Sequence, residues 1–340
     1  MNITVLLGGF SSERDVSLAS GLRVAAALRE RGHQVRAIDT ARGMLSEAEE
    51  GAMLAGSLVR RIPPEVAARA REAGTALVTA TEPLQGIDSA DVVMLALHGG
   101  TGEDGTLQAL LDLAGVPYTG SGHLASALAM DKDLSKRIFR DAGVPTADWL
   151  MAPADADTVA GRIGYPLIVK PSKQGSTVGL SLVRDPADLD AAVALAFEHD
   201  DEVMIEAFVP GRELTVTVLG GEALPVGEII PQKELYDYEC KYTPGMAEEI
   251  FPADLTADET ARVQALGVRA YEALKLAGCA RIDFRFAPDG EFYCLEANTL
   301  PGMTGTSLVP QSAAAAGISF PELCERIALL ARDGVRRPAS

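Results

Sequence analysis

Short apolar runs alternate along the chain with segments of helical periodicity. Residues 3–7 are apolar or β-branched throughout and are bounded by Gly8-Gly9, which predicts a short buried strand closed by a turn. From 15 to 31 the apolar residues Val16, Leu18, Ala19, Leu22, Val24, Ala25 and Leu28 recur at helical spacing, and Gly32 is the stop. Residues 35–38 and 92–97 predict two more strands, and 107–114 a helix ended by Gly115. Strands alternating with helices imply a parallel sheet covered on both faces. Residues 41–85 read as a helical excursion on this first unit.

A second unit begins near Gly120-Ser121-Gly122. It carries a helix over 123–141, a polar and alanine-rich connection with a helix over 146–162, and a strand at 167–170. A glycine-containing turn at 174–179, a strand at 180–183, a helix at 186–197 and a strand at 203–206 follow. The third unit has strands at 213–219 and 225–230, a polar loop at 233–249 and a helix at 257–277. A hairpin at 280–298 and a helix ending near 333 complete it, with 336–340 a frayed tail. The expected domains are therefore 1–120, an α/β Rossmann-like unit, and 121–205 and 206–340, two α+β units. A length of 340 residues agrees, since single cores hold about 100–200.

Composition narrows the function classes. Hydrophobic content of 47% with 23% charged residues is that of a globular protein able to build cores without staples. The formal net charge of −18 disfavours nucleic acid and anionic lipid as partners, and it means that an anionic ligand must find its positive charge in a local cluster. Cys240, Cys279, Cys294 and Cys324 form no CxxC pair, which argues against a zinc site or a disulfide framework and fits a reducing compartment. The N-terminus has no basic segment ahead of an apolar one, and no stretch approaches the roughly 20 apolar residues of a membrane span. A cytoplasmic location is the expectation.

The hairpin carries the most chemistry. Its strands, 281–287 and 291–297, flank Pro288-Asp289-Gly290, and Asp-Gly is a hairpin signal. With a two-residue loop, Asp283 lies opposite Glu296 and Arg281 opposite Asn298, and the period of two puts all four on one face. Carboxylates about 5 Å apart repel unless a proton or cation intervenes. Oxygen ligands from Asp, Glu and Asn suit Mg²⁺, and Arg281 adds fixed positive charge for a phosphoryl group or an oxyanion. The alternative is a solvated face of ordinary surface charge, and a three-residue loop would break the constellation. The following NTLPGMT, residues 298–304, brings bare backbone N–H groups and, with Ser307, a hydroxyl beside the same face.

Other segments carry weaker signals. Residues 170–179 (KPSKQGSTVG) place Lys170 on a strand before a Gly/Ser loop able to fold over phosphates, or else a plain turn with exposed lysines; no Walker A motif occurs. Glu206 and Glu213 flank the apolar Ala207-Phe208-Val209, against which an adenine could lie with a carboxylate for the ribose; an interdomain linker is the alternative. Gly8 to Glu13 opens a helix, where a substrate carboxylate and, at Glu13, an ammonium group would be held, or where Ser11, Ser12 or Asp15 simply caps. His98 heads HGGTGEDG at the carboxyl end of a strand, where open α/β sheets bind ligands. Residues 236–242 (YDYECKY) read as a lid or a surface loop.

Taken in order, GGFSSERDVSLASG at 8–21, HGGTGEDG at 98–105, YTGSG at 118–122, MDK at 130–132, KPSKQGSTVG, YDYECKY, RID at 281–283 and the run from Glu296 to Ser307 resemble the D-alanine–D-alanine ligases of the ATP-grasp superfamily. The resemblance covers nearly the whole chain. It implies an ATP-grasp fold with ATP between the second and third units. By this resemblance Lys132 and Lys170 contact phosphates, Glu206, Val209 and Glu213 face the base and ribose, and Lys241 is a lid lysine for the γ-phosphate. Asp283, Glu296 and Asn298 would hold two Mg²⁺ ions, for which Mn²⁺ can substitute. Glu13 would hold the ammonium of the first D-alanine, with His98 nearby and Ser176 and Tyr242 tying the lid to it. Arg281 and the Gly302 N–H would face the tetrahedral oxyanion, and Ser307 with Arg281 the second carboxylate. The resemblance further implies a homodimer and a dipeptide product for peptidoglycan synthesis, since relatives that make the D-lactate ester lack the tyrosine at Tyr242. Departures are Gln174, where many relatives carry an acid, Thr177, where serine is usual, and the long stretch 41–85.

Overall fold

The computed structural model describes residues 1–11, 13–56, 87–232 and 246–334. The N-terminal part consists of β1 (Asn2–Leu7), α1 (Arg14–Glu30), β2 (Gln34–Asp39), β3 (Gly43–Met44), α2 (Glu47–Ala55), β4 (Val92–Leu95) and α3 (Thr106–Ala114). Its sheet runs β3-β2-β1-β4, with β1 parallel to both β2 and β4 and only the short β3 antiparallel. β1 and β4 are buried on both faces, which is why they read as unbroken apolar runs. Of the stretch 41–85 read as helical, 43–44 form β3 instead and 57–85 lie outside the described residues; α2 starts with a full capping box, Ser46 and Glu49 satisfying each other's backbone N–H groups.

The expected helix over 123–141 is two helices, α4 (His123–Met130) and α5 (Lys132–Asp141). Asp131 lies between them in an extended conformation and accepts from the Leu134 N–H, so a new helix begins there. The polar connection that follows contains β5 (Trp149–Met151) before α6 (Ala156–Arg162). Then come β6 (Leu167–Pro171), β7 (Ser181–Val183), α7 (Leu189–Phe197) and β8 (Val203–Ala207). These strands form an antiparallel sheet in the order β5-β8-β6-β7.

The last sheet is built from β9 (Arg212–Leu219), β10 (Glu222–Ala223), β11 (Gly227–Pro231), β12 (Ala247–Ile250), β13 (Cys279–Phe286) and β14 (Phe292–Asn298), with α8 (Ala257–Ala273) between β12 and β13. Its order is β12-β11-β9-β13-β14. Val263 and Tyr271 of α8 pack with Val216, Val218 and Phe284 of the sheet. The chain ends in α9 (Leu308–Ala315) and α10 (Phe320–Asp333), and α10 buries Leu323 and Ile327 against Leu22 and Leu28 of α1. The first and last segments of the chain therefore share one core.

The hairpin departs from the expected two-residue loop. The strands pair out to Phe286 opposite Phe292, and the Ala287 N–H still donates to the Glu291 carbonyl at 2.9 Å, leaving the three residues 288–290 as the loop, which the Gly290 N–H closes by donating to the Ala287 carbonyl. The strands are 279–286 and 292–298, not 281–287 and 291–297. Continued without interruption, that pairing would set Leu295 opposite Asp283. Instead the register shifts between Asp283 and Phe284, and Glu296 stands opposite Asp283 and Asn298 opposite Arg281. A β-bulge at Leu295 thus restores the pairing that the shorter loop would have produced.

Candidate active site

The β13–β14 hairpin and its neighbour β9 form one wall. Asp283 is fixed from three sides. Thr215, its cross-strand partner on β9, donates to its Oδ1 at 2.7 Å; Arg281 Nε and Nη2 donate at 3.0 and 2.9 Å; and Asn298 Nδ2 donates at 3.0 Å. The one-face arrangement of Arg281, Asp283, Glu296 and Asn298 is thereby realised. Two rungs along, Arg285 pairs with Glu213 at 3.2 Å and donates to the Val209 carbonyl at 3.1 Å, fixing the segment between β8 and β9. Because a bulge turns two successive side chains toward the same side, Leu295 and Glu296 both line the cleft.

The opposite wall comes from α5, β6 and β8. Lys132, the first residue of α5, reaches Glu296 at 3.2 Å and donates to the Gln174 carbonyl at 2.7 Å, linking the Gly/Ser loop to the hairpin. One turn on, Lys136 is fully buried. It pairs with one oxygen of Glu206 while Lys170 pairs with the other at 2.6 Å. Burial alone would raise the Glu206 pKa, but the two lysines outweigh it and hold the carboxyl down at about 2. Burial pushes the Lys136 pKa down in turn. Two lysines against one carboxylate leave a net positive charge in this wall, which is the local cluster that an acidic protein needs in order to hold phosphates. Between the walls lies a solvent-open cleft of about 1020 Å³, lined among others by Lys132, Lys170, Ser176, Glu206, Val209, Glu213, Arg281, Asp283 and Glu296.

The N-terminal unit closes one end. Glu13 precedes α1, and its carboxylate accepts a hydrogen bond from Ser176, which with Thr177 has positive φ in the Gly/Ser loop. Ser11 does not cap α1; its Oγ accepts from the Glu13 N–H and donates to the His98 carbonyl. Next to Glu13, the buried Arg14 pairs with Asp39 and donates to the Gly9 carbonyl at 2.8 Å, which anchors the turn after β1. Gly99 has φ 67°, and a Cβ there would stand 3.1 Å from Glu13 Oε2, so the glycine lets the HGG turn approach the carboxylate. His98 is buried, with Nδ1 2.9 Å from the Leu300 carbonyl oxygen and Nε2 3.4 Å from Ser20 Oγ; burial lowers its pKa. Beyond the hairpin, Ser307 Oγ accepts from the Thr304 N–H at 2.9 Å and lies beside Gly302.

Lys241 and Tyr242 lie outside the described residues. Among the described residues no cluster of three or more His, Cys, Asp or Glu could hold a metal ion. The Asp283, Glu296 and Asn298 set is oxygen-only with two carboxylates, which suits the way Mg²⁺ is bound by one or two carboxylates plus substrate phosphates. Lys136, Glu103 and Ser20 were not picked out by sequence reasoning. Lys136 had a signal, because it stands four residues after Lys132 on the same helical face. Glu103 lies inside the HGGTGEDG run; its oxygens accept from the Gly99 N–H at 3.0 Å and the Leu300 N–H at 3.2 Å. Burial and the neighbouring Glu13 charge push its pKa up to about 7.

Two sheets facing each other across a cleft, one supplying buried lysines and the other paired carboxylates, define the ATP-grasp class of fold. Residues 2–121 match the family model for the D-ala D-ala ligase N-terminus and residues 138–329 that for the D-ala D-ala ligase C-terminus. The chain belongs to the D-alanine–D-alanine ligase family. It is 44% identical over 344 residues to the D-alanine–D-alanine ligase of Synechococcus sp. (strain JA-3-3Ab), covering 100% of this chain and 95% of the relative. With the ligase of Geobacter sulfurreducens it shares 42% identity over 332 residues, covering 97% and 93%. The solved structure of the ligase from Coxiella burnetii superposes with a TM-score of 0.81 at 28% identity, over 99% of this chain and 95% of that one. The Bacillus anthracis ligase, solved in complex with ATP, gives a TM-score of 0.76 at 31% identity over 100% of both chains.

Proposed function

We propose that the chain joins two D-alanine molecules into D-alanyl-D-alanine through an acyl phosphate, with ATP converted to ADP and phosphate, for peptidoglycan precursors in the cytoplasm. The observation that carries the assignment is the hydrogen bond from Ser176 to Glu13, which joins the phosphate-side loop to the proposed ammonium site at one end of the cleft. ATP lies in the cleft with its base along Ala207–Val209 and its ribose at Glu213. Both oxygens of Glu206 are engaged by Lys136 and Lys170, so Glu206 meets the base as an already neutralised carboxylate. Lys132 and Lys170 face the phosphates, and the resemblance assigns Lys241 to the γ-phosphate. Asp283, Glu296 and Asn298 hold Mg²⁺, which when bound neutralises phosphate charge and orients the γ-phosphoryl group.

Glu13 holds the ammonium of the first D-alanine and so aims its carboxylate at the γ-phosphate, with His98 nearby and Ser176 and Tyr242 securing the closed loop. A carboxylate is a poor acyl donor at neutral pH; phosphorylation gives it a leaving group, and a closed site keeps water from the acyl phosphate. The second amine then attacks the acyl carbon, phosphate departs, and the amine loses a proton. Arg281 and the Gly302 N–H face the oxyanion of that step, and Ser307 with Arg281 holds the second carboxylate. The partition into residues 1–120, 121–205 and 206–340 accompanies this reading, because each part supplies one side of the site. The chain acts as a homodimer, which light scattering on the purified protein checks.

The test is ADP release by purified protein with ATP, Mg²⁺ and D-alanine. Absence of D-alanine-dependent turnover would sink the assignment. A second reading is ligation of D-alanine to D-lactate or D-serine. The tyrosine at 242 favours the dipeptide, and product analysis with all three acceptors separates the cases.

A further inference from the structure

The backbone from Leu300 to Thr304 holds Gly302, and side chains of the N-terminal unit grip it on both sides of that glycine. Glu103 accepts from the Leu300 N–H at 3.2 Å, and His98 Nδ1 donates to the Leu300 carbonyl at 2.9 Å. The Met303 N–H donates to Ser20 Oγ at 3.1 Å. Arg23 donates to the Met303 and Thr304 carbonyls at 3.1 and 2.5 Å, with its guanidinium 3.8 Å over the Phe320 ring. Ser20 is completely buried in α1. A hydroxyl in that position does nothing for the helix itself, and buried polar groups are kept where they have partners.

The directions of these bonds are mutually consistent. A carbonyl only accepts, so His98 carries its proton on Nδ1, and in the neutral ring Nε2 is then an acceptor. Ser20 therefore donates to His98 and accepts from Met303, using its hydroxyl in both senses. Burial keeps the ring neutral. His98 is in this way committed to Leu300 and Ser20, and it acts on the loop.

We infer that Ser20, Glu103 and Arg23 are positioning residues that, with His98, set the Leu300–Thr304 loop from the N-terminal unit, so that the Gly302 N–H and Ser307 meet the second D-alanine. This rests on the roles proposed above for Gly302 and Ser307. None of the clasp's bonds reaches the lysine wall or the Asp283–Glu296 pair, so its effect falls on the second substrate; only Glu103 also touches the first-substrate side, through the Gly99 N–H at 3.0 Å beside Glu13.

The test compares the full-length enzyme with Ser20→Ala and Glu103→Gln. A glutamine has a single acceptor oxygen and so keeps one of the two backbone bonds. Three readouts are taken: amide hydrogen exchange at Leu300 and Met303, the two half-reactions, and thermal unfolding to confirm folding. Positional isotope exchange in ATP with D-alanine reports acyl-phosphate formation, and steady-state kinetics report KM for the second D-alanine. The expected result is faster exchange at these amides and at least about a tenfold loss in kcat/KM for the second D-alanine, the scale of one buried group left unpaired. KM for ATP stays within about twofold in both variants, and the isotope exchange does so in Ser20→Ala, which leaves the Gly99 turn untouched. Unchanged amide protection in both variants overturns the clasp. Lost protection with unchanged second-substrate kinetics overturns the role assigned to the loop itself. Equal losses in both half-reactions reduce these residues to general supports of the fold and also overturn the inference. Because Arg23 stands apart from His98, Arg23→Gln supplies an independent variant should Ser20→Ala fail to fold.

Discussion

Replacing Glu206 with glutamine tests the lysine wall most directly. In the folded protein this carboxyl titrates at about 2, against 4.5 for an ordinary glutamate. At about 1.4 kcal/mol per pKa unit, the difference makes the ionised side chain worth roughly 3 kcal/mol of stability at neutral pH. Since the folded-state pKa is depressed, that contribution is present above pH 4.5 and is lost as pH falls toward 2. Glutamine leaves two lysines, one of them fully buried, without an anion. Breaking a buried pair by removing one partner costs about 3–5 kcal/mol. The upper end is set by the escape route: deprotonating a lysine at pH 7 costs about 5 kcal/mol. Lys136→Met differs in kind, because the remaining Glu206–Lys170 pair is neutral and an apolar chain of similar length fills the space. Its cost is the loss of the cation 5.0 Å from the Trp149 ring together with the Nζ hydrogen bonds to Glu206 and, at 2.6 Å, to Thr146 Oγ1, about 1–3 kcal/mol and below that of Glu206→Gln. The double variant should be more stable than Glu206→Gln alone. The assay is urea unfolding followed by tryptophan fluorescence, and Trp149 is the chain's single tryptophan, placed directly opposite Glu206 on β5. If Glu206→Gln costs less than about 1 kcal/mol, or if adding Lys136→Met makes it worse, the charge argument is wrong.

Three further outcomes are expected. Glu296→Gln should abolish turnover while the protein stays folded, since Glu296 lies on the open cleft, where it pairs with Lys132 at 3.2 Å; full activity would refute the metal role. Gly302→Ala should raise KM for the second D-alanine at least about tenfold with KM for ATP unchanged, because a Cβ there would stand 2.7 Å from Ser307 Oγ and displace it; unaltered second-substrate kinetics would remove Ser307 from the site. The raised Glu103 pKa means that the folded chain holds this proton more tightly than the unfolded chain between pH 4.5 and about 7, so its contribution falls as pH rises through that window. Glu103→Gln should flatten the decline in melting temperature between pH 5 and pH 7.5, and identical slopes for wild type and variant would contradict the shift.

What could be read from the sequence divides along a physical line. Period-two and helical spacing are local properties, so β1, α1, β4 and the alternating order were legible, as were the residues that face each other across β13 and β14. The turn between those strands was misread, because Asp289-Gly290 is a hairpin signal in its own right and here sits inside a longer connection. The facing residues were nevertheless correct, since the bulge at Leu295 offsets the extra loop length. In the structure the bulge shows as buried positions Phe292, Cys294 and Ala297 that break the period of two after Cys294, but the run Phe292–Leu295 is apolar throughout, so the sequence alone carries no such phase change. Burial of polar groups was the part hidden from sequence. Lys136 meets Glu206 across 70 residues, Glu103 meets Leu300 across 197, and Ser20 meets Met303 across 283. Each looks like an ordinary helix or loop residue until the fold removes water from around it. The unit that carries the proposed ammonium site thereby also holds the loop assigned to the second substrate. A change in either substrate preference should therefore be sought as much in α1 and the HGG turn as in the residues that line the cleft.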